Sequence, residues 1–370
     1  MIDLRYSADE EALRDSVRAL LAAQAPAQRV LARLDGDEPY DRALWARLAG
    51  GLGLAGLAVP AAYGGAGAGF REVAVVLEEL GRAVAPVPYL GTAIATWALL
   101  SCDGSDLLAP VAAGDCPVAL AVGFATAPGT RPHPVTVAPD GTLSGSVPGV
   151  ADALPCDVLL VPAGDGLYAV DAAGPGVRMV PVVSLDATRT LADVALTGAP
   201  GRLVSAGAAA DAAVDGALTA GAVLLASEQV GVAQSCLDMT VGYVRTRHQF
   251  GRPVGSFQAV KHRLADLWVE VTEARAVARY AADRLAAGHP ETRLAASLAQ
   301  AYCAPVAVRA AEVCVQLHGG IGFTWEHPAH LYLKRAKSGA IAFGTADRHR
   351  AVLAGLVDLP GPEPTADRRY

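Results

Sequence analysis

The sequence predicts an α+β fold in three parts: an N-terminal α-helical domain over residues 1–115, a small β-domain over residues 116–205, and a C-terminal helical bundle over residues 206–370. Apolar residues recur three and four positions apart in the first and third parts, which is typical of amphipathic helices. The middle part loses that spacing and is rich in valine, threonine, glycine and proline, which favours short strands between turns. A chain of 370 residues is long enough for such packed units with a sizeable core.

Composition narrows the class of protein. The net charge of −7 argues against non-specific nucleic-acid binding. No apolar run approaches the roughly 18 residues of a membrane span, and the N-terminus lacks the basic start and apolar core of a signal peptide. The 6 cysteines are scattered and form no C-x-x-C motif. We therefore expect a cytoplasmic protein with free thiols, no membrane span and no zinc site.

The N-terminal part predicts three helices. Ser7 and Glu10 form a capping-box pattern at the start of the first helix. A second helix is expected near residues 40–49 and a third near residues 70–84, since both segments carry apolar residues on one helical face.

The middle part predicts short strands bounded by turn residues. They are expected at residues 118–122, 158–161, 166–170 and 177–180.

The C-terminal part has the clearest helical pattern of the chain. A mostly apolar helix is expected over residues 215–246, and a kink is expected at Pro305 inside a later helix over residues 291–317. Between them, apolar residues alternate spacings of four and three, which predicts helix-on-helix packing. The residues of this seam are Val260, Leu264, Leu267, Val271, Ala274, Ala278, Ala281 and Leu285. Gly288 and Pro290 end that helix, and together these helices predict a four-helix bundle that also forms an oligomer core.

The turn at residues 247–258, between two of these helices, is a candidate ligand site. Guanidinium groups suit phosphate, and amides and rings suit an aromatic base. The residues alone leave a second interpretation open, a solvated turn between helices. The turn and the residue two positions before it supply three arginines, two rings and two amides: Arg245, Arg247, Arg252, Phe250, Phe257, Gln249 and Gln258.

The same turn carries a resemblance to a known family. Residues 247–258 read R-x-Q-F-G-x-P-x-x-x-F-Q, and with the continuation to Asp266 they resemble the signature of the acyl-CoA dehydrogenases. The resemblance implies a fold of N-terminal helices, a middle β-domain and a C-terminal four-helix bundle. It also implies that the turn reaches across a subunit interface to the pyrophosphate and adenine end of a neighbour's FAD. The contacts implied there are Arg247, Gln249, Phe250 and Gln258.

A second segment resembles the family after the next long helix. Residues 316–322 read Q-x-x-G-G-x-G, and adjacent glycines allow another molecule to approach the backbone closely. The resemblance implies that Gln316, Gly319 and Gly320 touch the adenosine part of the neighbour's FAD, although a plain glycine helix stop would look similar. His327 and His330 follow as H-x-x-H without an evident third ligand, so we expect surface histidines and no metal.

The segments that would line the chain's own flavin depart from the family. Where relatives have a Thr-Glu-Pro-x-Ala-Gly-Ser-like loop, this chain has Gly-Phe-Ala-Thr-Ala-Pro-Gly at residues 123–129. Where relatives have a Trp-Ile-Thr-like segment, residues 141–145 read Gly-Thr-Leu-Ser-Gly, and no tryptophan occurs between Trp97 and Trp268. The comparison predicts that the chain's own flavin cradle is incomplete.

The catalytic base of the family is missing from both of its usual places. The pattern E-G-T-x-E/Q-x-x-R becomes F-G-T-A-D-R-H-R, so Phe343 stands where the glutamate is expected. The earlier placement in some relatives falls on Gly221, followed by Ala222, and neither accepts a proton. Asp347 and Glu228 remain as candidate replacements, and for Glu228 a hydrogen-bonded or interface carboxylate is the other interpretation.

The whole pattern resembles the base-less subunit of the heteromeric α2β2 acyl-CoA dehydrogenases of actinobacterial steroid side-chain catabolism. That resemblance implies FAD shared at a subunit interface, a homologous partner that carries the catalytic glutamate, and an acyl-CoA substrate. It also implies an acceptor of the electron-transfer flavoprotein type. Two alternatives stay open: a homotetrameric dehydrogenase with a non-standard base, and a family member that does no redox chemistry.

Overall fold

The computed structural model of the protein describes residues 4–34, 36, 38, 40–102, 106–132 and 135–359. Its N-terminal part is helical, as the sequence predicts. The helices are α1 (Ala8–Gln24), α2 (Ala27–Leu34), α3 (Arg42–Ala46), α4 (Phe70–Ala83), α5 (Tyr89–Leu100) and α6 (Leu108–Ala113), and α3 runs into a π-helical turn at Arg47–Gly51.

The predicted start of α1 is confirmed in detail. The Ser7 hydroxyl accepts a hydrogen bond from the Glu10 backbone N–H (3.1 Å), and the Glu10 carboxylate accepts one from the Ser7 N–H (2.7 Å). The helix expected at residues 40–49 is shorter and widens into the π-helical turn, but its inward residues Leu44 and Leu48 are buried as predicted. Helix α5 was not predicted because it is apolar on every side and buried, so it shows no amphipathic period.

The middle part forms two four-stranded sheets. The order is β1-β4-β5-β8 in one and β2-β3-β7-β6 in the other, and the pairing is antiparallel except for β1 with β4. The strands are β1 (Val118–Leu120), β2 (Val135–Val137), β3 (Thr142–Ala151), β4 (Val158–Ala163), β5 (Gly166–Asp171), β6 (Val177–Val182), β7 (Leu191–Pro200) and β8 (Arg202–Ala206). Strands β1, β4, β5 and β6 were predicted, whereas β2, β3, β7 and β8 were not.

The C-terminal part is built on α7 (Gly207–Thr246), which packs against the N-terminal helices and against the rest of the bundle. The other helices are α8 (Gln258–Ala286), α9 (Thr292–His318), α10 (Ala329–Gly339) and α11 (Ala346–Leu356). The predicted seam of α8 is buried from Leu264 to Leu285, and Val260 at its start is half-buried. In α9, which contains Pro305, the buried face is rich in alanine, and Leu298 is exposed.

Among the described residues, two helical segments are long and apolar enough to cross a membrane by length and composition: α7, and Thr292–Phe323, which includes α9. The prediction that no apolar run approaches this length therefore needs correction. In the most apolar window of each segment, 67% and 61% of the residues are buried inside the protein. Packing in the core thus explains their composition, since a core helix buried on most sides has the same apolar character.

Candidate functional site

The arginine turn, residues 247–258, is a hairpin that joins α7 to α8 and includes the first residue of α8. Its two short strands, His248–Gln249 and Arg252–Pro253, pair antiparallel. The Val254 N–H closes the hairpin on the Arg247 carbonyl at 2.7 Å. At its tip Phe250 adopts a left-handed backbone (φ 54°), and its side chain is 89% exposed. The hairpin therefore presents side chains outward.

The charges of this turn are available to a ligand. Arg245 and Arg247 are exposed and form no ion pair with any described residue. Arg252 lies over the Phe257 ring, 3.8 Å from its centroid. Helix α8 begins here without a side-chain cap, so the positive end of its dipole adds to the guanidinium charges. Gln249 and Gln258 are exposed beside them, and the donor set fits a phosphate-containing group.

The second predicted segment, called here the glycine corner (residues 316–322), follows α9. Gly319 has a left-handed backbone (φ 64°), and a Cβ built on Gly319 or Gly320 would meet no atom within 4 Å. Gln316 and both of these glycines are exposed. Gly322 differs, because a Cβ there would lie 2.6 Å from the Val315 carbonyl. The first two glycines therefore leave open backbone for another molecule, whereas the third is required by packing.

The fold brings the arginine turn and the glycine corner together at one end of the bundle. Tyr243, in the last turn of α7, stacks on His318, the last residue of α9, with 4.4 Å between ring centroids and 28° between planes. His327 packs against His318 at 4.4 Å. Segments that are far apart in the sequence are thus neighbours.

One ring nitrogen of each histidine in the H-x-x-H pair lies at hydrogen-bond distance from the backbone. Nδ1 of His327 accepts the Ala329 N–H at 3.2 Å, and Nε2 of His330 lies 3.1 Å from the Trp325 carbonyl. Both histidines are half-buried, which corrects the expectation of surface side chains. Among the described residues, no cluster of three or more His, Cys, Asp or Glu side chains suits a metal ion.

The position expected for the catalytic glutamate is filled by a buried ring. Phe343 is 2% exposed, and its N–H donates to the Phe124 carbonyl at 2.9 Å. The two rings meet edge to face, with centroids 5.5 Å apart. A Cβ built on Gly221 would lie 2.8 Å from Cζ of Phe343. The two places where the family resemblance puts a base therefore face each other, and the phenyl ring occupies the space between them.

The cavity beside Phe343 is small and mostly apolar. Its walls include Leu90, Ile94 and Phe124, and a water molecule's centre has only about 20 Å³ to occupy. One carboxyl group, that of Asp152, reaches this wall. It accepts the Tyr40 hydroxyl and the Gly91 N–H, both at 2.9 Å. Sequence reasoning missed Asp152, which stands in an otherwise apolar stretch with no motif around it.

Burial dominates the chemistry of Asp152. It raises the pKa of the Asp152 carboxyl group, while Arg189 and the hydrogen bond from Gly91 act in the opposite direction. The group is therefore held as a hydrogen-bonded acid or carboxylate between the middle part of the chain and α5.

The two carboxylates singled out from the sequence are both paired. Glu228 is buried and is held by Arg189 at 3.0 and 2.5 Å and by Arg335 at 3.1 Å. Burial works against its charge, but the two guanidinium groups lower the pKa of Glu228 to about 2. Asp347 is 90% exposed and pairs with Arg350 at 2.6 Å. Glu228 is thus a structural carboxylate, and Asp347 lies in water rather than in a dry site.

Glu228 belongs to a larger ionic junction that the sequence analysis did not identify. Arg335 of α10 also binds Asp186 at 2.6 Å and the Thr188 hydroxyl at 2.6 Å. Asp186, Thr188 and Arg189 form one short D-x-T-R run before β7. The junction ties the middle part to α7 and α10 with buried, charge-assisted contacts.

The two segments compared with the family's flavin-lining segments lie in a turn and in a strand of the middle part. Phe124 is buried against Phe343, with the Arg189 guanidinium 5.6 Å from its ring centroid. Residues 142–145 lie inside strand β3 rather than in a loop. Phe124 therefore faces the protein interior, whereas Gly129 at the other end of the same segment lines a separate cavity.

Two family models match the chain. The model described as "Acyl-CoA dehydrogenase, N-terminal domain" matches residues 7–106, and "Acyl-CoA dehydrogenase, C-terminal domain" matches residues 212–356. Acyl-CoA dehydrogenase IpdE2 of Mycolicibacterium smegmatis is 37% identical over 338 residues, which cover 91% of this chain and 95% of that protein. IpdE2 of Mycobacterium tuberculosis is 36% identical over 332 residues, with 90% and 92% covered.

Two solved structures resemble the whole chain. A variant of the Tcur3481–Tcur3483 steroid ACAD has a TM-score of 0.85 at 32% identity and covers 95% of this chain and 98% of its own. The ChsE4–ChsE5 complex from Mycobacterium tuberculosis has a TM-score of 0.85 at 30% identity, with 97% and 100% covered.

Proposed function

Because this chain belongs to the acyl-CoA dehydrogenase family, whose members bind FAD, we propose that it is the base-less subunit of a heteromeric FAD-dependent acyl-CoA dehydrogenase. Its role is to complete the FAD site of a homologous partner that carries the catalytic glutamate, in an α2β2 assembly. The observation that carries the proposal is the Phe343 ring, which fills the space between the two possible base positions.

The reaction requires a group that this chain does not offer. Forming an enoyl-CoA needs a positioned base to take the proton next to the thioester carbonyl, and bound FAD supplies the acceptor for the hydride from the adjacent carbon. Phe343 accepts no proton, and the Glu228 carboxylate is ion-paired with Arg189 and Arg335. We therefore assign proton abstraction to the partner subunit.

This chain's contribution is to bind and orient. The Arg247 guanidinium and the uncapped start of α8 suit the pyrophosphate of the cofactor. The other contacts proposed in the arginine turn are Gln249, Phe250 and Gln258. At the glycine corner, Gln316, Gly319 and Gly320 offer an amide and open backbone to the adenosine end.

The names of the matched structures suggest a substrate for this protein. Both solved assemblies are named for two chains, and one is named a steroid ACAD. We propose an acyl-CoA thioester, of a steroid side chain, as the substrate. We further propose a cytoplasmic enzyme that passes electrons to an acceptor of the electron-transfer flavoprotein type.

The visible absorption spectrum tests this proposal directly. The chain purified alone is expected to be colourless and inactive, because the segments that would line its own flavin depart from the family pattern. Co-purified with a companion dehydrogenase subunit, it is expected to give a yellow complex with dehydrogenase activity. A yellow, active homotetramer of this chain alone would refute the proposal.

One observation favours a second candidate, a homotetrameric dehydrogenase with a non-standard base. Asp152 brings a carboxyl group to the cavity beside Phe343. Both of its oxygens already accept hydrogen bonds, from Tyr40 and from Gly91, which argues against a free base. Loss of all activity in an Asp152→Asn variant that still binds FAD would support this candidate over the first.

A further inference from the structure

Two stacked rings join the end of α7, just before the arginine turn, to the end of α9, within the glycine corner. Tyr243 stacks on His318 with centroids 4.4 Å apart. The Tyr243 carbonyl accepts the Arg247 N–H at 2.9 Å. Tyr243 therefore lies one helical turn before Arg247, the first residue of the arginine turn. His318 directly precedes Gly319. The Tyr243 ring is therefore one helical turn from the arginine turn, and the His318 ring belongs to the glycine corner itself.

The His318 ring is buried and hydrogen-bonded to the backbone of its own helix. It is 3% exposed, and its Nδ1 lies 2.7 Å from the Cys314 carbonyl. A carbonyl oxygen only accepts, so Nδ1 carries the hydrogen. His327 packs against the ring with 4.4 Å between centroids, and a Cβ added at Gly322 would lie 3.1 Å from the His318 Cβ, so the surroundings are close-packed. The Tyr243 ring thus stacks on a buried ring that is hydrogen-bonded to the backbone.

We propose that Tyr243 and His318 are positioning residues that set the spacing between the arginine turn and the glycine corner. This inference rests on the proposed function, in which the two segments contact different parts of one FAD molecule. The pyrophosphate and the adenosine are covalently joined, so both segments bind them at full strength only when their spacing is fixed before binding. Preorganisation of this kind raises affinity without adding a contact to the cofactor.

Tyr243→Leu tests the proposal, with Tyr243→Phe as its matched control. Leucine keeps the helix and an apolar side chain but removes the ring, whereas phenylalanine keeps the stack. The Tyr243 hydroxyl has no hydrogen-bond partner among the described side chains, so its loss is expected to be neutral. In the complex with the companion subunit, FAD is expected to bind about three- to tenfold more weakly to the leucine variant, from the usual strength of an aromatic pair. The phenylalanine variant is expected to bind FAD like the wild type.

A double-mutant cycle separates positioning from simple packing. If the stack places Arg247, then Tyr243→Leu has little further effect on the FAD dissociation constant once Arg247→Ala is present. If it only stabilises the bundle, the two effects add and the apo-complex of Tyr243→Leu unfolds at a clearly lower temperature. The measurements are FAD titration of the apo-complex by fluorescence and thermal unfolding without the cofactor.

The outcomes distinguish this inference from the proposed function. Wild-type FAD affinity in Tyr243→Leu, with weakened binding in Arg247→Ala, would overturn the inference and leave the function standing. Unchanged affinity in Arg247→Ala would remove the proposed function itself. Should the leucine variant fail to assemble, His318→Asn keeps a side-chain N–H for the Cys314 carbonyl, removes the ring, and is expected to show the same loss.

Discussion

Among the described residues, polar groups are exposed and unpaired at the end of the bundle, whereas those in the interior beside Phe343 are buried and hydrogen-bonded. At the arginine turn, Arg247 is exposed without an ion-pair partner among the described residues, and the corner glycines meet no neighbouring atom. Beside Phe343, the Asp152 carboxyl group is buried with both oxygens hydrogen-bonded, and the remaining space holds little more than one water molecule. Groups left open at a surface are available to another molecule, whereas groups that satisfy one another hold the fold together. The contrast supports a chain that completes a neighbour's site rather than one that runs its own.

The largest expected effect is the loss of stability caused by Phe343→Glu in the interior. The new carboxyl group would lie beside Gly221 and Ile94 in a mostly apolar cavity, whose described lining residues include no cation. We expect a loss of about 3 kcal/mol or more in unfolding free energy, because a buried acid without a partner must be desolvated or stay protonated. Denaturant unfolding measures the loss.

Phe343→Leu is the control for that substitution. It keeps an apolar side chain at the same left-handed backbone position (φ 52°), and it is expected to cost about 1–2 kcal/mol for the smaller volume. A glutamate variant as stable as the leucine variant would mean that the interior accommodates a base. The contrast between the two regions would then fail.

At the exposed end the expected response is in binding and not in stability. Arg247→Ala removes one charge-assisted contact and is expected to weaken FAD binding in the complex about 10- to 100-fold. The unfolding temperature of the apo-complex is expected to stay unchanged, since the Arg247 side chain has no ion-pair partner among the described residues. Arg29→Ala, at another exposed arginine on α2, is the matched control and is expected to retain FAD. Equal loss of FAD in both variants would show a general charge effect instead.

The two regions also differ in how far the sequence predicted them. The arginine turn and the glycine corner are contiguous segments, so their residue types could be recognised directly, although their contacts with a cofactor stay a prediction. The apolar seam of α8 was also predicted correctly, because its spacing is a property of one continuous helix. The ionic junction was not, since Arg189, Glu228 and Arg335 come from three separate elements and only the fold brings them together.

The missed strands have a different physical cause. Strands β3 and β7 are rich in glycine, alanine and serine and contain few β-branched or aromatic residues, so local propensity for a strand is weak. Their pairing with each other and the burial of Val147 and Val194 between the sheets decide the structure instead. In the same way, the contact of Gly221 with Phe343 depends on α7 crossing the end of α10, which no local pattern indicates.

The smallest expected effect is that of Asp152→Asn, which tests whether the buried carboxyl group is structural. Asparagine keeps an oxygen for the Gly91 N–H and a polar group for Tyr40, so we expect less than about 1 kcal/mol of change in unfolding free energy near neutral pH. Because burial raises the pKa of Asp152 in the folded protein, the stability it contributes is fully present below its unfolded-state value of 3.8 and is lost as the pH rises through the folded pKa. The asparagine variant is expected to lose this pH dependence, and comparing unfolding of the two proteins from acid to neutral pH measures it. If both proteins follow the same pH profile, Asp152 does not titrate in that range. A dehydrogenase activity abolished by this change, with FAD still bound, would move the base into this chain and end the contrast between its two regions.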